Sequence, residues 1–239
     1  YNGSTWTEVG DLNEARYGIA GVGASNTAAL AFGGYTGTAR SVNTEKWDGS
    51  SWTEVNNLNT GRSNLAGDGT NTAALAFGGY STAAVALTEK WNGTNWTEVG
   101  DLNTARYSLA GAGTYASALA FGGSAPRRAF TESWNDTAWT EVGDLNVARD
   151  NVGGTGSDND NALCIGGYTG TANLASTELW NGTNWVEQND LSIGVRAAGS
   201  AGTTAAAISF AGVNPSAGKV AVSEEFSLPG PVTQEFDLS

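Results

Sequence analysis

Histidine and methionine are both missing from the 239 residues, and cysteine occurs once. Without histidine, a Ser-His or Cys-His nucleophile system cannot be built from this chain. The lone Cys164 excludes a disulfide within the chain, so packing alone must hold the fold together. Because no methionine is present, we expect the sequence to be a processed product or a piece of a longer chain.

Basic residues are also scarce, since 11 lysines and arginines face 24 acidic residues and the formal charge is −13. Nucleic-acid binding needs clustered lysine and arginine against phosphates, and an anionic membrane surface attracts the same residues. No apolar run approaches the ~18 residues of a transmembrane helix. The composition therefore predicts no nucleic-acid partner and no membrane insertion.

What the sequence has in excess is repetition. One aromatic marker precedes an NG-type turn at spacings of 46, 44, 43, 46 and 46 residues, at Tyr1, Trp47, Trp91, Trp134, Trp180 and Phe226. A second marker is the tryptophan of WTEV-like segments, at Trp6, Trp52, Trp96, Trp139 and Trp185. Repeats of this length indicate solenoids or propellers, and five units fill most of the chain.

Each unit contains four short segments with strand character. In the third unit these are YSLAGAG after Arg106, ASALAFGG, FTESW and a WTEV segment. Asn-Gly pairs such as Asn92-Gly93 join the last two segments, which is a strong hairpin signal. Four strands in ~45 residues, repeated five times, predict an all-β fold, a five-bladed β-propeller with four antiparallel strands per blade. Glycine and alanine in the first segments indicate crowding at the axis, and tryptophan is expected on outer strands.

The two ends of the sequence predict how the ring closes. Residues 6–9 (WTEV) have the pattern of a fourth strand, and residues 222–226 (VSEEF) have that of a third. We expect the two to pair, so that the N-terminal strand completes the last blade and removes an exposed edge. The propeller is thus predicted over residues 1–228, and residues 229–239, which contain Pro229 and Pro231, form a C-terminal tail or linker.

The repeat resembles the kelch motif. The residues that carry the resemblance are a Gly-Gly pair closing an apolar strand and then spaced Trp, Leu and Arg residues: Gly78-Gly79, Trp91, Trp96, Leu102 and Arg106. Kelch repeats imply four-stranded propeller blades, more often six or seven than five. The repeat sequence WNGTxWTEVxDLNxAR…ALAFGG also resembles repeat proteins of marine phages, among them tail-fibre-like proteins, and of marine microbes. That likeness implies a virion or extracellular location.

Charged residues recur once per repeat, which is poor evidence for a single active site. We interpret them as structural ion pairs within or between blades; the residues are Arg16, Arg62, Arg106, Arg149, Arg196, Glu45, Glu89, Glu132, Glu178 and Glu224. If such a pair is buried, loss of one partner costs about 3–5 kcal/mol. Cys164 aligns with alanines of other repeats and is expected to be a small buried residue.

Metal and catalytic chemistry have few candidates. Asp158 and Asp160 in GSDNDNA are a calcium candidate because alternating oxygen ligands suit that ion, although Asp and Asn are also ordinary turn formers. We expect no other metal and no cofactor. A glycan-acting hydrolase would need two carboxyls in different environments, and nearly all carboxylates here are repeated or lie in turns. The sequence therefore predicts that the chain is not an enzyme.

Function is sought where the repeat varies, in the loops after each Gly-Gly pair. Strand counting puts these loops on the face that carries the DLN linkers, and insertions in repeat folds gather on one face, often the binding face. The predicted ligand-binding residues there are Tyr35, Arg40, Tyr80, Arg127, Arg128 and Tyr168. The alternative interpretation is that these are tolerant surface loops.

The leading hypothesis is a non-catalytic binding or display module that contacts a glycan or protein receptor through these loops. Other virion proteins are a further expected class of partner. Two alternatives stay open: a structural or assembly module of a larger virion or surface protein, and a glycan-acting hydrolase.

Overall fold

The computed structural model describes residue 5, residues 7–214, residue 216 and residues 218–228. In this part of the chain all regular secondary structure is β, arranged as five antiparallel blades of a β-propeller. The five-bladed propeller predicted from the repeat is therefore confirmed. No helix able to cross a membrane occurs among the described residues.

Each blade is a sheet whose strands follow one another in sequence order. The innermost strands are β1 (Ala20–Ser25), β5 (Ala66–Gly69), β9 (Ala110–Gly113), β13 (Gly153–Asp158) and β17 (Gly199–Gly202). The second strands are β2 (Ala28–Phe32), β6 (Ala74–Phe77), β10 (Ala118–Phe121), β14 (Asn161–Ile165) and β18 (Ala206–Phe210). The third strands are β3 (Thr44–Trp47), β7 (Thr88–Trp91), β11 (Thr131–Trp134), β15 (Thr177–Trp180) and β21 (Ser223–Ser227). The fourth strands of blades 1 to 4 are β4 (Trp52–Val55), β8 (Trp96–Glu98), β12 (Trp139–Glu141) and β16 (Trp185–Glu187).

Within the described residues the sheet of blade 5 has three strands, β17, β18 and β21, where the sheets of blades 1 to 4 have four. The loop before β21 adds a small hairpin of β19 (Val213–Asn214) and β20 (Gly218–Lys219). Of the segment predicted to close this blade, Trp6 lies outside the described residues, and residues 7–9 carry no strand. The closing pair therefore stays a prediction.

Glycine in the innermost strands allows the blades to approach one another. A Cβ atom on Gly67 would lie 2.5 Å from the ring of Phe32 in blade 1, and one on Gly111 would lie 2.6 Å from Phe77 in blade 2. Both distances are too short for any side chain. The crowding at the axis that the sequence indicates is thus a direct contact between one blade's phenylalanine and the next blade's glycine.

Tryptophans fill the wider gaps between the outer strands. Trp139 of blade 3 packs against Phe77 of blade 2 with ring centroids 4.9 Å apart, and its indole Nε1 donates to Thr88 Oγ1 at 3.0 Å. Trp134 lies beside Trp139 at 5.4 Å. Blades 1 and 2, and blades 3 and 4, repeat this arrangement. Each apolar core therefore lies between two blades, and indoles provide much of it.

The propeller has one side on which the variable loops emerge, here called the loop face. It consists of the loops between second and third strands (residues 33–43, 78–87, 122–130, 166–176, and 211–214 with 218–222) and the segments leading into each innermost strand (residues 10–19, 56–65, 99–109, 142–152 and 188–198). The turns between first and second strands lie on the opposite side, since consecutive antiparallel strands alternate in direction.

Candidate functional site

The repeated arginines and glutamates form ion pairs behind the loop face in four blades: Arg16–Glu45, Arg62–Glu89, Arg106–Glu132 and Arg149–Glu178. In blade 3, Arg106 donates to Glu132 at 3.0 Å and also to the carbonyl oxygens of Ala120 and Phe130. The second Glu132 oxygen accepts the backbone and side-chain N–H groups of Asn103 at 2.7 and 2.8 Å. Burial lowers the pKa of Arg106, and the Glu132 charge opposes that shift. These charges are used inside each blade and are not available to a ligand.

In blade 5 the arginine position is taken by Val195, and Arg196, which the sequence grouped with the structural ion-pair residues, stacks on Tyr168; among the described residues the recurring ion pair is found in blades 1 to 4. The Val195 carbonyl accepts the N–H of Gly167 at 2.8 Å, a bond that an arginine carbonyl accepts in the three preceding junctions. Val195 is only 3% exposed. In the other repeats the arginine follows the first residue of the DLN-type segment by five positions, and five positions after Asp190 the residue is Val195. The prediction named Arg196 instead, one position later, because it is an arginine.

The six predicted ligand-binding residues lie on the loop face, where five of them join two stacked clusters. In the first cluster the Arg40 guanidinium lies 4.8 Å from the ring centre of Tyr35 and 4.8 Å from that of Tyr80, and so it bridges blades 1 and 2. Tyr17 and Tyr107 extend the cluster by edge-on ring contacts at 5.5 and 5.3 Å. The predicted residues therefore contact one another and form part of the support of the face.

The second cluster is centred on Tyr168 of blade 4. The guanidinium of Arg127 lies 4.8 Å from its ring centre, and that of Arg196 lies 4.5 Å from it. Arg128 belongs to neither cluster, because it stacks on Phe130 at 5.0 Å. Cation–π contacts of this kind contribute about 0.5–1 kcal/mol at exposed sites. These contacts join neighbouring loops and hold the loop face in one shape.

A bowl lies at the centre of the loop face, where segments from all five blades meet. Its volume is about 420 Å³. Five of the residues that line it have positive φ, between 52° and 62°: Gly18, Asn64, Ser108, Asn151 and Ala197. Each of the last four donates its backbone N–H to the carbonyl of the preceding one at 2.7 to 2.8 Å. Residues other than glycine seldom adopt this conformation, and such outliers concentrate at functional sites.

The bowl combines apolar surface, amide groups and an exposed aromatic ring. Ile19 and Leu65 line it together with the amides of Asn64 and Asn151. Tyr17 is 64% exposed at its edge, which leaves most of the ring free for stacking. Ligand pockets are commonly 300–1,000 Å³ with a few convergent polar groups among apolar ones. The bowl fits that description, and it is open to solvent.

The sequence interpretation did not include Tyr17, Tyr107, Asn64 or Asn151 in the site. The position that follows the repeated arginine could have identified some of these residues, because it is variable like the loops after the Gly-Gly pairs. That position varies in chemistry from blade to blade, as Tyr17, Ser63, Tyr107, Asp150 and Arg196. Each of these residues pairs with the residue after the Gly-Gly pair of its own repeat, or after Ala211-Gly212 in blade 5. Two variable positions therefore lie side by side on the loop face in every blade.

The calcium candidates belong to the turn between β13 and β14, on the opposite side of the propeller. Asp158 accepts the backbone N–H of Asp160 at 3.0 Å and the hydroxyl of Ser157 at 3.2 Å. In the described ranges no group of three or more His, Cys, Asp or Glu residues is arranged to hold a metal ion. Turn formation accounts for this segment. Cys164 is fully buried, and burial raises the pKa of its thiol.

One carboxylate beside the bowl is fully engaged by its neighbours. Asp150 is 2% exposed, its Oδ2 accepts from Arg127 Nε at 2.9 Å, and its Oδ1 accepts from Asn151 Nδ2 at 2.8 Å. A general acid or base needs a proton position that reaches the substrate. Asp150 instead holds Arg127, which stacks on Tyr168, and Asn151, which lines the bowl.

The central channel is lined by the five innermost strands and has a volume of about 300 Å³. Asp68 of β5 lies in it, 8% exposed, and no described residue forms a hydrogen bond with its Oδ2. Burial raises the pKa of this carboxyl to about 8. Asp68 therefore carries a proton at neutral pH and adds no charge to the channel.

No protein-family model matches the chain, and no curated protein matches it.

Proposed function

We propose that the chain is a non-catalytic binding module that holds a glycan in the central bowl of the loop face. The observation that carries the proposal is the bowl itself, which draws residues from five blades and has the exposed Tyr17 ring at its edge. The apolar face of a sugar ring stacks on an aromatic ring, while its hydroxyls bond to amide groups. Asn64 and Asn151 provide such amides.

The two arginine–tyrosine clusters have a supporting role in this proposal. Arg40 and Arg127 keep the loops of adjacent blades in place, so the bowl is preorganised before a ligand arrives. Preorganisation reduces the entropy lost on binding. The resemblance of the repeat sequence to kelch repeats and to repeat proteins of marine phages supports a location on a virion or outside the cell. There the net charge of −13 favours solubility.

A glycan array probed with the wild-type chain and with Tyr17→Ala tests the proposal. Tyr115→Ala is the matched control, because Tyr115 is an exposed tyrosine in a turn on the opposite side. We expect Tyr17→Ala to weaken binding about tenfold or more, as for an aromatic hot spot. Tyr115→Ala should leave binding unchanged.

Three results would count against the proposal or change it. Equal losses in the two variants would rule out the bowl as the site. Binding to a protein receptor that is lost with Tyr17→Ala would keep the site and change the ligand class. Turnover of an oligosaccharide would favour the hydrolase alternative.

A further inference from the structure

Basic residues concentrate in the loops between second and third strands. In sequence these five loops contain four basic residues and no acidic one, whereas the whole chain has 24 acidic and 11 basic residues. The four are Arg40, Arg127, Arg128 and Lys219. Positive charge gathered on one surface of an acidic molecule favours the encounter with an anionic ligand there and disfavours it elsewhere. The loop face is therefore the side of the molecule that suits an anion.

Arg40 is an exposed cation that stacking holds in one orientation. Its guanidinium lies over the rings of Tyr35 and Tyr80, 4.8 Å from each ring centre. A guanidinium stacked on a ring keeps its N–H donors at the edge of its plane, where they remain able to bind an oxyanion. The ion pairs within the described part of the chain do not include Arg40. Its charge is thus not used by those carboxylates.

Arg196 is a second stacked cation, and it lies directly beside the bowl. Its guanidinium is 4.5 Å from the ring centre of Tyr168, and the next residue, Ala197, lines the bowl. Arg127 shares the same ring at 4.8 Å, but its charge is balanced by Asp150 at 2.9 Å. No ion pair that joins two described residues includes Arg196. This cluster therefore leaves one unbalanced positive charge next to the bowl.

The backbone of blade 1 connects Arg40 to the edge of the bowl. Tyr35 pairs with Tyr17 on one side and with Arg40 on the other, as in neighbouring antiparallel strands. Two such strand spacings are roughly 10 Å. The Tyr17 ring lies at the edge of the bowl and contacts the Tyr35 ring at 5.5 Å. An oligosaccharide that stacks on Tyr17 can therefore bring an acidic substituent to Arg40.

The acidic residues of the loop face belong to the segments that lead into the innermost strands; they are Asp11, Glu14, Asp101, Asp144, Asp150 and Asp190. Asp101 follows the outermost strand β8 and accepts the backbone N–H of Thr88 at 3.0 Å. Asp144 follows β12 and accepts that of Thr131 at 3.3 Å. Glu14 accepts two side-chain donors from the loop of blade 1, at 2.9 and 3.0 Å. These contacts hold the three carboxylates against their own blades.

We infer that the glycan held in the bowl is acidic and that Arg40 and Arg196 bind its carboxylate or sulfate groups. Guanidinium groups bind such oxyanions through paired N–H donors, with more geometric specificity than an ammonium group. The inference rests on the proposed glycan function and adds the charge of the ligand. The charge of −13 on the whole chain repels the same ligand from other surfaces, which adds to the selectivity.

A glycan array of matched pairs tests the inference. Each pair consists of an acidic glycan and its neutral counterpart: carboxylated sugars with their methyl esters, and sulfated sugars with their desulfated forms. We expect the wild type to bind an acidic member about tenfold or more tightly than its neutral partner, as for charge-assisted hydrogen bonds. The kind of pair that shows the preference distinguishes carboxylate from sulfate.

Arg40→Gln and Arg196→Gln should each reduce this preference about tenfold, because each removes one charge-assisted contact. Lys46→Gln is the matched control, since it removes the same charge from β3, outside the loop face. Raising the salt concentration should weaken the binding of the acidic member, and this dependence should be smaller in both arginine variants. A change of loop shape alone would not alter the salt dependence.

The possible failures of the inference and of the proposed function differ. Equal binding of acidic and neutral partners, lost with Tyr17→Ala, would overturn the inference and keep the glycan function. A preference or a salt dependence that is unchanged in both arginine variants would also overturn the inference, as would an equal loss with Lys46→Gln. Absence of binding to every glycan on the array would overturn both.

Discussion

At the scale of single residues, the position of the arginine in the DLNxAR segment decides whether it is buried in an ion pair or lies on the loop face. Arg106 is fully buried, and Glu132 is its charge partner. Where the chain places Val195 instead, the blade has an apolar side chain and the neighbouring Arg196 lies on the loop face. A shift of one residue along the chain thus separates a buried arginine paired with a glutamate, as Arg106 is, from an arginine stacked on a tyrosine of the loop face, as Arg196 is.

We expect Arg106→Met to lower the free energy of unfolding by about 3–5 kcal/mol, because Glu132 is left buried without a charge partner. Arg196→Met, the same substitution on the loop face, should cost about 1 kcal/mol or less. Urea denaturation followed by tryptophan fluorescence measures both. Equal losses in the two variants would contradict the assignment of Val195 to the arginine position.

At the scale of strands, the junctions between blades determine which elements are well protected. β9 and β10 of blade 3 have neighbouring blades on both sides, and β10 is buried along its whole length. In blade 5, Ala201 of β17 is exposed where Ala112 of β9 is buried, and Ile208 and Phe210 of β18 are only partly buried where Leu119 and Phe121 of β10 are fully buried. Local opening costs least where few apolar contacts hold a strand.

Hydrogen exchange should therefore be faster in blade 5 than in blade 3. We expect the amides of β18 to be protected roughly tenfold or more less than those of β10, since local stability follows buried contacts. Exchange followed by mass spectrometry of peptides covering the two strands measures this difference. Equal protection would indicate that the five blades open as a single unit.

At the scale of the whole molecule, the central channel couples stability to pH. The Asp68 carboxyl abuts the next blade, where a Cβ on Gly111 would lie 2.5 Å from its Oδ2. Burial raises the folded-state pKa of Asp68 from 3.8 to about 8. The folded state therefore binds this proton more tightly than the unfolded chain. Its contribution is fully present below about pH 4 and is lost as pH rises towards 8.

The slope in that window is about 1.4 kcal/mol per pH unit. Asp68→Asn cannot ionise and removes this slope, so we expect it to raise the Tm relative to the wild type at pH 8 more than at pH 4.5. Asp48→Asn is the control, because Asp48 lies in an exposed turn whose Ser51 and Ser50 donors lower its pKa to about 2. Parallel pH profiles for the wild type and Asp68→Asn would contradict the assignment.

Much of the fold was determined by the sequence itself, because each repeat contains its own local signals. The Asn-Gly turns, the alternation in ALAF and the pairing of Arg106 with Glu132 all arise within about 30 residues of chain. Such short-range features repeat with the sequence, and they predicted the number of blades and the ion pairs of blades 1 to 4.

Only the tertiary structure decided what happens between repeats. The stacking of Arg40 on Tyr80, the burial of Val195 and the bowl around Asn64 and Asn151 all depend on how far each blade is rotated from the last. That rotation is set by the indoles, phenylalanines and glycines that pack between sheets. Their contacts join residues about one repeat apart, and sequence patterns within one repeat carry no information about them.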